Sequence, residues 1–170
     1  MNGMKKYIKY IVIELLLVGA VIAIDLITKE IIYNKALEDG KIDIIKNVLS
    51  FTAVQNTGAS FGIFKDRVTL LAIVSGISAA ALMAFMIYTV KKRSLLFRSS
   101  LILIIGGAIG NLVDRAWLGY VRDFVYFELI DFAVFNLADS ALTIGTILLI
   151  VFVLFFYKEE PKDKQKENSQ

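Results

Sequence analysis

The chain has 170 residues and a formal net charge of +3, and 57% of it is apolar, above the roughly 45–50% of an ordinary soluble domain. It contains no histidine and no cysteine. Those two absences exclude disulfides, thiol nucleophiles, thiolate metal sites, Ser-His and Cys-His triads, and nearly all zinc hydrolase sites.

Four apolar segments follow in chain order, at about Tyr7–Ile24, Val68–Val90, Leu95–Val113 and Ala138–Tyr157, each near the ~20 residues that a hydrocarbon core requires. The first follows a basic start, "MNGMKK", but lacks an A-x-A cleavage site and precedes three further spans, so it is read as a retained helix. The third is the weakest, strongly apolar only over Leu101–Ile109. Its Gly106-x-x-x-Gly110 pattern permits close helix approach. Eleven basic residues flank the spans on one side (among them Lys5, Lys6, Lys9, Lys91, Lys92, Arg93 and Arg98), while the other side holds eight, diluted by eleven acidic residues. By the positive-inside rule both termini are cytoplasmic. The asymmetry implies contact with anionic membrane lipids and gives no reason to invoke nucleic acid. The tail Lys158–Gln170 is expected to be a solvated, disordered end.

On the outer side, the loop at about Lys29–Arg67 carries β-branched and apolar runs at Ile42–Ile45 and Leu49–Val54, expected as short strands on the membrane surface. A second loop, about Ala116–Phe135, is rich in aromatics suited to the headgroup region. The expected fold is an all-α four-transmembrane-helix bundle, a single polytopic domain, with a small β-rich extracytoplasmic subdomain.

Four carboxylates fall at one membrane level: Asp25 ending the first span, Asp114 ending the third, Asp123 nine residues on, and Asp139 opening the fourth. Ionisable residues at span edges are functional candidates by default. Two carboxylates brought together cannot both ionise comfortably, so one keeps a proton while the other activates water. Ordinary structural roles compete for each residue. Asp139 could be the N-cap of the fourth span, Asp123 a loop carboxylate paired with Arg122 or Arg115, and Asp25–Lys29 an exposed i,i+4 pair. Asp114 in "NLVDR" has a spacing suited to an ion pair and hydrogen-bond set with Arg115 and Asn111. Asn56, Asn111 and Asn136 could cap turns. Asp131 reads as a solvated loop carboxylate, and Glu14 in the first span has no evident role. Ser60, Ser75, Ser78 and Ser140 could suggest Ser-Lys catalysis, but no lysine sits deep within a span or near Ser140.

"AIDLITKE", "VQNTGASFGIF", "GGAIGNLVDRAWLGYVRDF" and "FNLADSALTIG" together resemble the motifs of the bacterial lipoprotein signal peptidases, the signal peptidase II family, in order and in position relative to four spans. The match runs from about Asp25 to Gly145. Gln55 stands where that family often has Arg, Arg122 where Val is common, and Ala133 where Pro is frequent. The resemblance implies an aspartyl endopeptidase of the bacterial cytoplasmic membrane that removes signal peptides from prolipoproteins, cutting before the lipid-modified cysteine. It implies a catalytic pair of Asp123 and Asp139, with Asp25, Lys29, Asn56, Gly58, Asn111, Asp114, Arg115, Asn136 and Ala138 binding substrate or supporting the site. No metal or organic cofactor is expected, and nothing demands more than a monomer. Two other classes compete: a small proton-coupled transporter or channel with a carboxylate relay, and an assembly factor without catalysis.

Overall fold

A computed structural model describes residues 2–59, 63–91 and 94–157. The expected disordered tail, Ser60, Lys92 and Arg93 lie outside the described residues. Helix α1 (Asn2–Thr28) runs through a π-helical turn (Lys29–Tyr33) into α2 (Asn34–Asp39), followed by strands β1 (Ile42–Ile45) and β2 (Leu49–Asn56). Helices α3 (Val68–Tyr88) and α4 (Leu95–Leu118), strand β3 (Val121–Phe127), a 3-10 turn (Glu128–Ile130) and helix α5 (Leu137–Phe155) complete the order. Among the described residues, four helices are long and apolar enough to cross a membrane. The outward faces of α1, α3 and α5 are apolar, with Leu16, Ile77 and Leu154 each about two-thirds exposed (69%, 66% and 69%).

Helix α4, the least apolar of the four, is the centre of the bundle. Over half of its most apolar window is buried in protein (56%), against 11–22% for the other three. A helix surrounded by protein can carry Ser100, Asn111 and Asp114, all buried, which a lipid-facing helix could not. Its glycines let neighbours touch its backbone. A Cβ on Gly106 would lie 2.6 Å from Val21 on α1, on Gly107 2.5 Å from the Ala138 carbonyl oxygen of α5, and on Gly110 2.5 Å from an Asp25 carboxylate oxygen. Gly107→Val is expected to push α5 from α4 and cost about 1–3 kcal/mol, read as a lower midpoint of thermal unfolding in detergent.

One half of the bundle is clasped by an ion pair. Arg98 of α4 donates to Glu14 of α1 from Nε at 2.7 Å, and again from Nη2. Its Nη1 donates to the Met86 carbonyl at 2.9 Å and to Thr89 Oγ1 at 3.2 Å, closing the end of α3. Glu14, the odd carboxylate of the first span, is thus a buried partner of Arg98 and neither faces lipid nor stands alone. Apolar packing continues the clasp, with Met86, Phe97, Leu101, Ile105 and Phe152 in one buried cluster.

At the other end the three strands form an antiparallel sheet ordered β1-β2-β3. The two strands expected from sequence are present; β3, inside the aromatic loop, was not expected, because its Arg122-Asp123 pair interrupts the apolar pattern. An irregularity between Phe51 and Val54 shifts the register so that Val54 faces Asp123 and Asn56 faces Val121. A β-bulge of this kind re-aims side chains, and here it sets Asn56 diagonal to Asp123.

A candidate active site of two aspartates

The four carboxylates singled out in the sequence belong to one connected network at the sheet end of the bundle. Asp123 comes from β3 and Asp139 from the first turn of α5, and both line a cleft of about 670 Å³ bordered by Val54–Ala59, Lys65 and Phe132–Phe135. A narrower cavity of about 310 Å³ between α3, α4 and α5 shares Asn56, Ala59 and Asp139 with the cleft. The two spaces therefore meet at Asp139.

All four oxygens of Asp123 and Asp139 accept an N–H. Asn136 Nδ2 donates to Asp123 Oδ1 at 2.6 Å and Asn56 Nδ2 to Asp123 Oδ2 at 2.8 Å. Asn111 Nδ2 donates to Asp139 Oδ1 at 2.8 Å, and the Asn136 backbone N–H to Asp139 Oδ2 at 3.2 Å. Among the described residues, Asn136 alone hydrogen-bonds both carboxylates. It is also the N-cap of α5, accepting from the Asp139 N–H at 3.0 Å. Asp139 is therefore not the N-cap but the third helical residue of a capping box, which answers the Asn136 cap reciprocally. Its carboxylate lies at the positive end of the α5 dipole.

Lys29 orients the amides. Its ammonium is wholly buried and donates to Asp25 Oδ2 at 2.8 Å and Asn111 Oδ1 at 2.9 Å, with Asp114 Oδ2 at 3.5 Å. An ammonium only donates, so Asn111 must present its oxygen to Lys29 and its NH₂ to Asp139. Asn111 Oδ1 also receives Asn136 Nδ2 at 3.1 Å. Asp25 uses its other oxygen to accept the Ala138 N–H at 2.8 Å, satisfying the start of α5 from α1. An exposed Asp25–Lys29 pair is thus replaced by a buried one, 1% and 0% exposed.

Asp114 departs from its expected partner. It binds Arg122 of β3, with Nη2 at 2.9 Å and the backbone N–H at 3.0 Å, in place of its neighbour Arg115. Arg115 instead donates to the Gly58 carbonyl at 3.0 Å, and the Gly58 N–H donates to Asn56 Oδ1 at 2.9 Å. This chain fixes the Asn56 amide with its NH₂ toward Asp123. Gly58 is needed there, since a Cβ would fall 2.9 Å from the Ile63 carbonyl oxygen. Asp131 is a loop residue held by Tyr126, whose hydroxyl donates to it at 2.6 Å. Burial first, and then the neighbouring Asp139 carboxylate, push Asp123 from the usual carboxylate range up to about 7.

Helices able to cross a membrane, a small sheet at one end, and a buried Asp123 beside a part-buried Asp139 at a cleft are the arrangement expected of a membrane hydrolase. The model of the family described as "Signal peptidase (SPase) II" matches residues 17–155. Lipoprotein signal peptidases of Lactobacillus johnsonii and Clostridium tetani are each 38% identical to the chain, over 89% and 90% of it and 95% and 97% of their own lengths. A solved structure described as a bacterial membrane enzyme superposes with a TM-score of 0.73 at 32% identity, covering 88% of this chain and 94% of that one. The chain belongs to the signal peptidase II family and is a peptidase.

Proposed function

We propose that the protein is an aspartyl endopeptidase that removes signal peptides from prolipoproteins, cutting before the diacylglyceryl-modified cysteine. Family membership supports the substrate class. The observation that carries the reaction type is the pair of aspartates, Asp123 buried and Asp139 part-buried, with every carboxylate oxygen oriented by an N–H donor, at the junction of two cavities. Asp123 keeps the proton, consistent with its pKa near 7. Asp139 is the carboxylate that takes a proton from water. The water oxygen attacks the scissile carbonyl while Asp123 gives its proton to the developing oxyanion; as the tetrahedral intermediate collapses, the proton held by Asp139 passes to the leaving amine and the hydroxyl proton returns to Asp123.

The N and C termini are assigned to the cytoplasm and the site to the outer face of the bacterial cytoplasmic membrane, so the substrate's lipid tails stay in the bilayer while its backbone crosses the aspartates. That placement supplies orientation without immersing the lipid in water. A proton-relay transporter finds no support in the comparisons. Its carboxylates should be spread through the membrane depth, whereas these gather at one end and Glu14 is locked to Arg98.

The test is incubation of the purified chain in detergent with a lipid-modified prolipoprotein, followed by mass analysis. Two products are expected, one ending immediately before the modified cysteine and one starting with it; cleavage elsewhere, or none, contradicts the assignment. The rate should fall as pH rises through about 7, where Asp123 loses the proton it must donate. It should fall again in acid, where Asp139 becomes protonated and cannot activate water. A rate that climbs steadily with pH would point to hydroxide attack without a general acid.

A further inference from the structure

Arg122 directly precedes Asp123 on β3 and points to the opposite face of the strand, since strand side chains alternate. Its guanidinium and backbone N–H both hold Asp114, while Nη1 donates to Glu30 at 2.8 Å. One residue so joins β3 to α4 and to the π-helical turn after α1. Arg122 is itself largely buried, its side chain 13% exposed.

Asp114 also lies 3.5 Å from the Lys29 ammonium, which already has Asp25 at 2.8 Å. With Arg122 in place, two cations face the two buried carboxylates, Asp25 and Asp114, while Glu30, the third partner, is 68% exposed and screened by solvent. Without it, Asp25 and Asp114 would both draw on Lys29, leaving a net negative charge beside the paired aspartates. Lys29 is the group that orients Asn111 toward Asp139, and Asp123 interacts electrostatically with it as well.

We propose that Arg122 is a positioning residue for cleavage: by holding Asp114 it reserves the Lys29 charge for Asn111 and the Asp123–Asp139 pair, and it fixes β3 where Asp123 meets Asn136. The inference rests on the paired-aspartate reading above. The other charged groups facing the pair are Arg115 from α4 and Lys65 from the turn before α3. Neither is changed by a substitution at 122.

The test is the pH dependence of kcat/KM for a lipid-modified prolipoprotein, using the full chain in detergent as wild type, Arg122→Gln, Arg122→Lys and Arg122→Gln/Asp114→Asn. At an effective dielectric near 20, one unit charge at about 10 Å shifts a carboxylate by on the order of one pH unit. Losing the Arg122 charge strengthens proton binding at both aspartates, so Arg122→Gln is expected to move both limbs to higher pH by about half to one unit. Arg122→Lys keeps the charge but loses the planar fork, so its limbs should stay in place at a lower rate. The double variant restores charge balance, and its limbs should return to the wild-type positions. It also covers the case in which Arg122→Gln does not fold.

Unshifted limbs in Arg122→Gln, whatever the loss of rate or melting temperature, would reduce Arg122 to a structural tie and overturn the inference. A double variant that also fails to fold would do the same. Those results leave the paired-aspartate reading standing. A wild type whose rate shows no two-limbed profile would bring down both.

Discussion

Replacing Asp123 or Asp139 by Asn is expected to lower the cleavage rate at least about a thousand-fold, the scale associated with losing a positioned general acid or base, while the protein stays folded. Asn keeps the size of Asp and one acceptor oxygen, while its NH₂ replaces an oxygen that accepted an N–H, so a modest loss of stability is expected with the fold kept. The two variants should fail for different reasons: at 139 no carboxylate remains to accept the water proton, and at 123 no acid remains to supply one. Combining them should cost little more than either alone, because groups acting as a unit are not additive. The check is single-turnover cleavage alongside thermal unfolding of each variant. Near wild-type cleavage by either single variant would remove that residue from the reaction.

The second large effect falls on stability. Lys29→Met keeps most of the side-chain length but deletes the ammonium that neutralises Asp25, helps balance Asp114 and orients Asn111. Breaking a buried ion pair by removing one partner costs about 3–5 kcal/mol, because the remaining charge is left uncompensated. Thermal unfolding in detergent should show a clear drop, and Lys29→Met/Asp25→Asn should be more stable than Lys29→Met alone. Equal stabilities for the single and double variants would mean that the Asp25 carboxylate does not depend on Lys29. Cleavage should fall in both, since Asn111 loses the donor that fixes its orientation.

Much of this architecture could be read from the chain because its signals are local. Apolar runs of span length, the two β-branched stretches and the Gly106–Gly110 spacing each report their own surroundings, and the structure places helices, strands and close contacts at those positions. The shared level of Asp25, Asp114, Asp123 and Asp139 followed from counting spans, and the network joining them lies at one end of the bundle. Partner choice was not legible. Asp114 lies next to Arg115 in sequence, yet consecutive helical residues point apart. The strand that returns after Gly119 brings Arg122 to it instead. Glu14 and Arg98 are 84 positions apart, and no local pattern joins them.

Asp139 suits an N-cap by residue type, but the F-N-L-A-D spacing, with a capping residue three before an acid, carries the capping-box signal that the structure shows. The three asparagines carried the faintest signal. Each could cap a turn or meet a substrate backbone. Only the fold shows that Asn56, Asn111 and Asn136 all turn their NH₂ groups to the aspartates.

The most direct test sets Asp123→Asn beside Asp114→Asn on the same lipid-modified substrate, with the folding of each verified. The paired-aspartate account predicts that Asp123→Asn is inactive, while Asp114→Asn, which touches Arg122 and Lys29 and not the cleft, retains measurable cleavage. Cleavage by Asp123→Asn together with a folded but dead Asp114→Asn would contradict it and move the chemistry to Asp114.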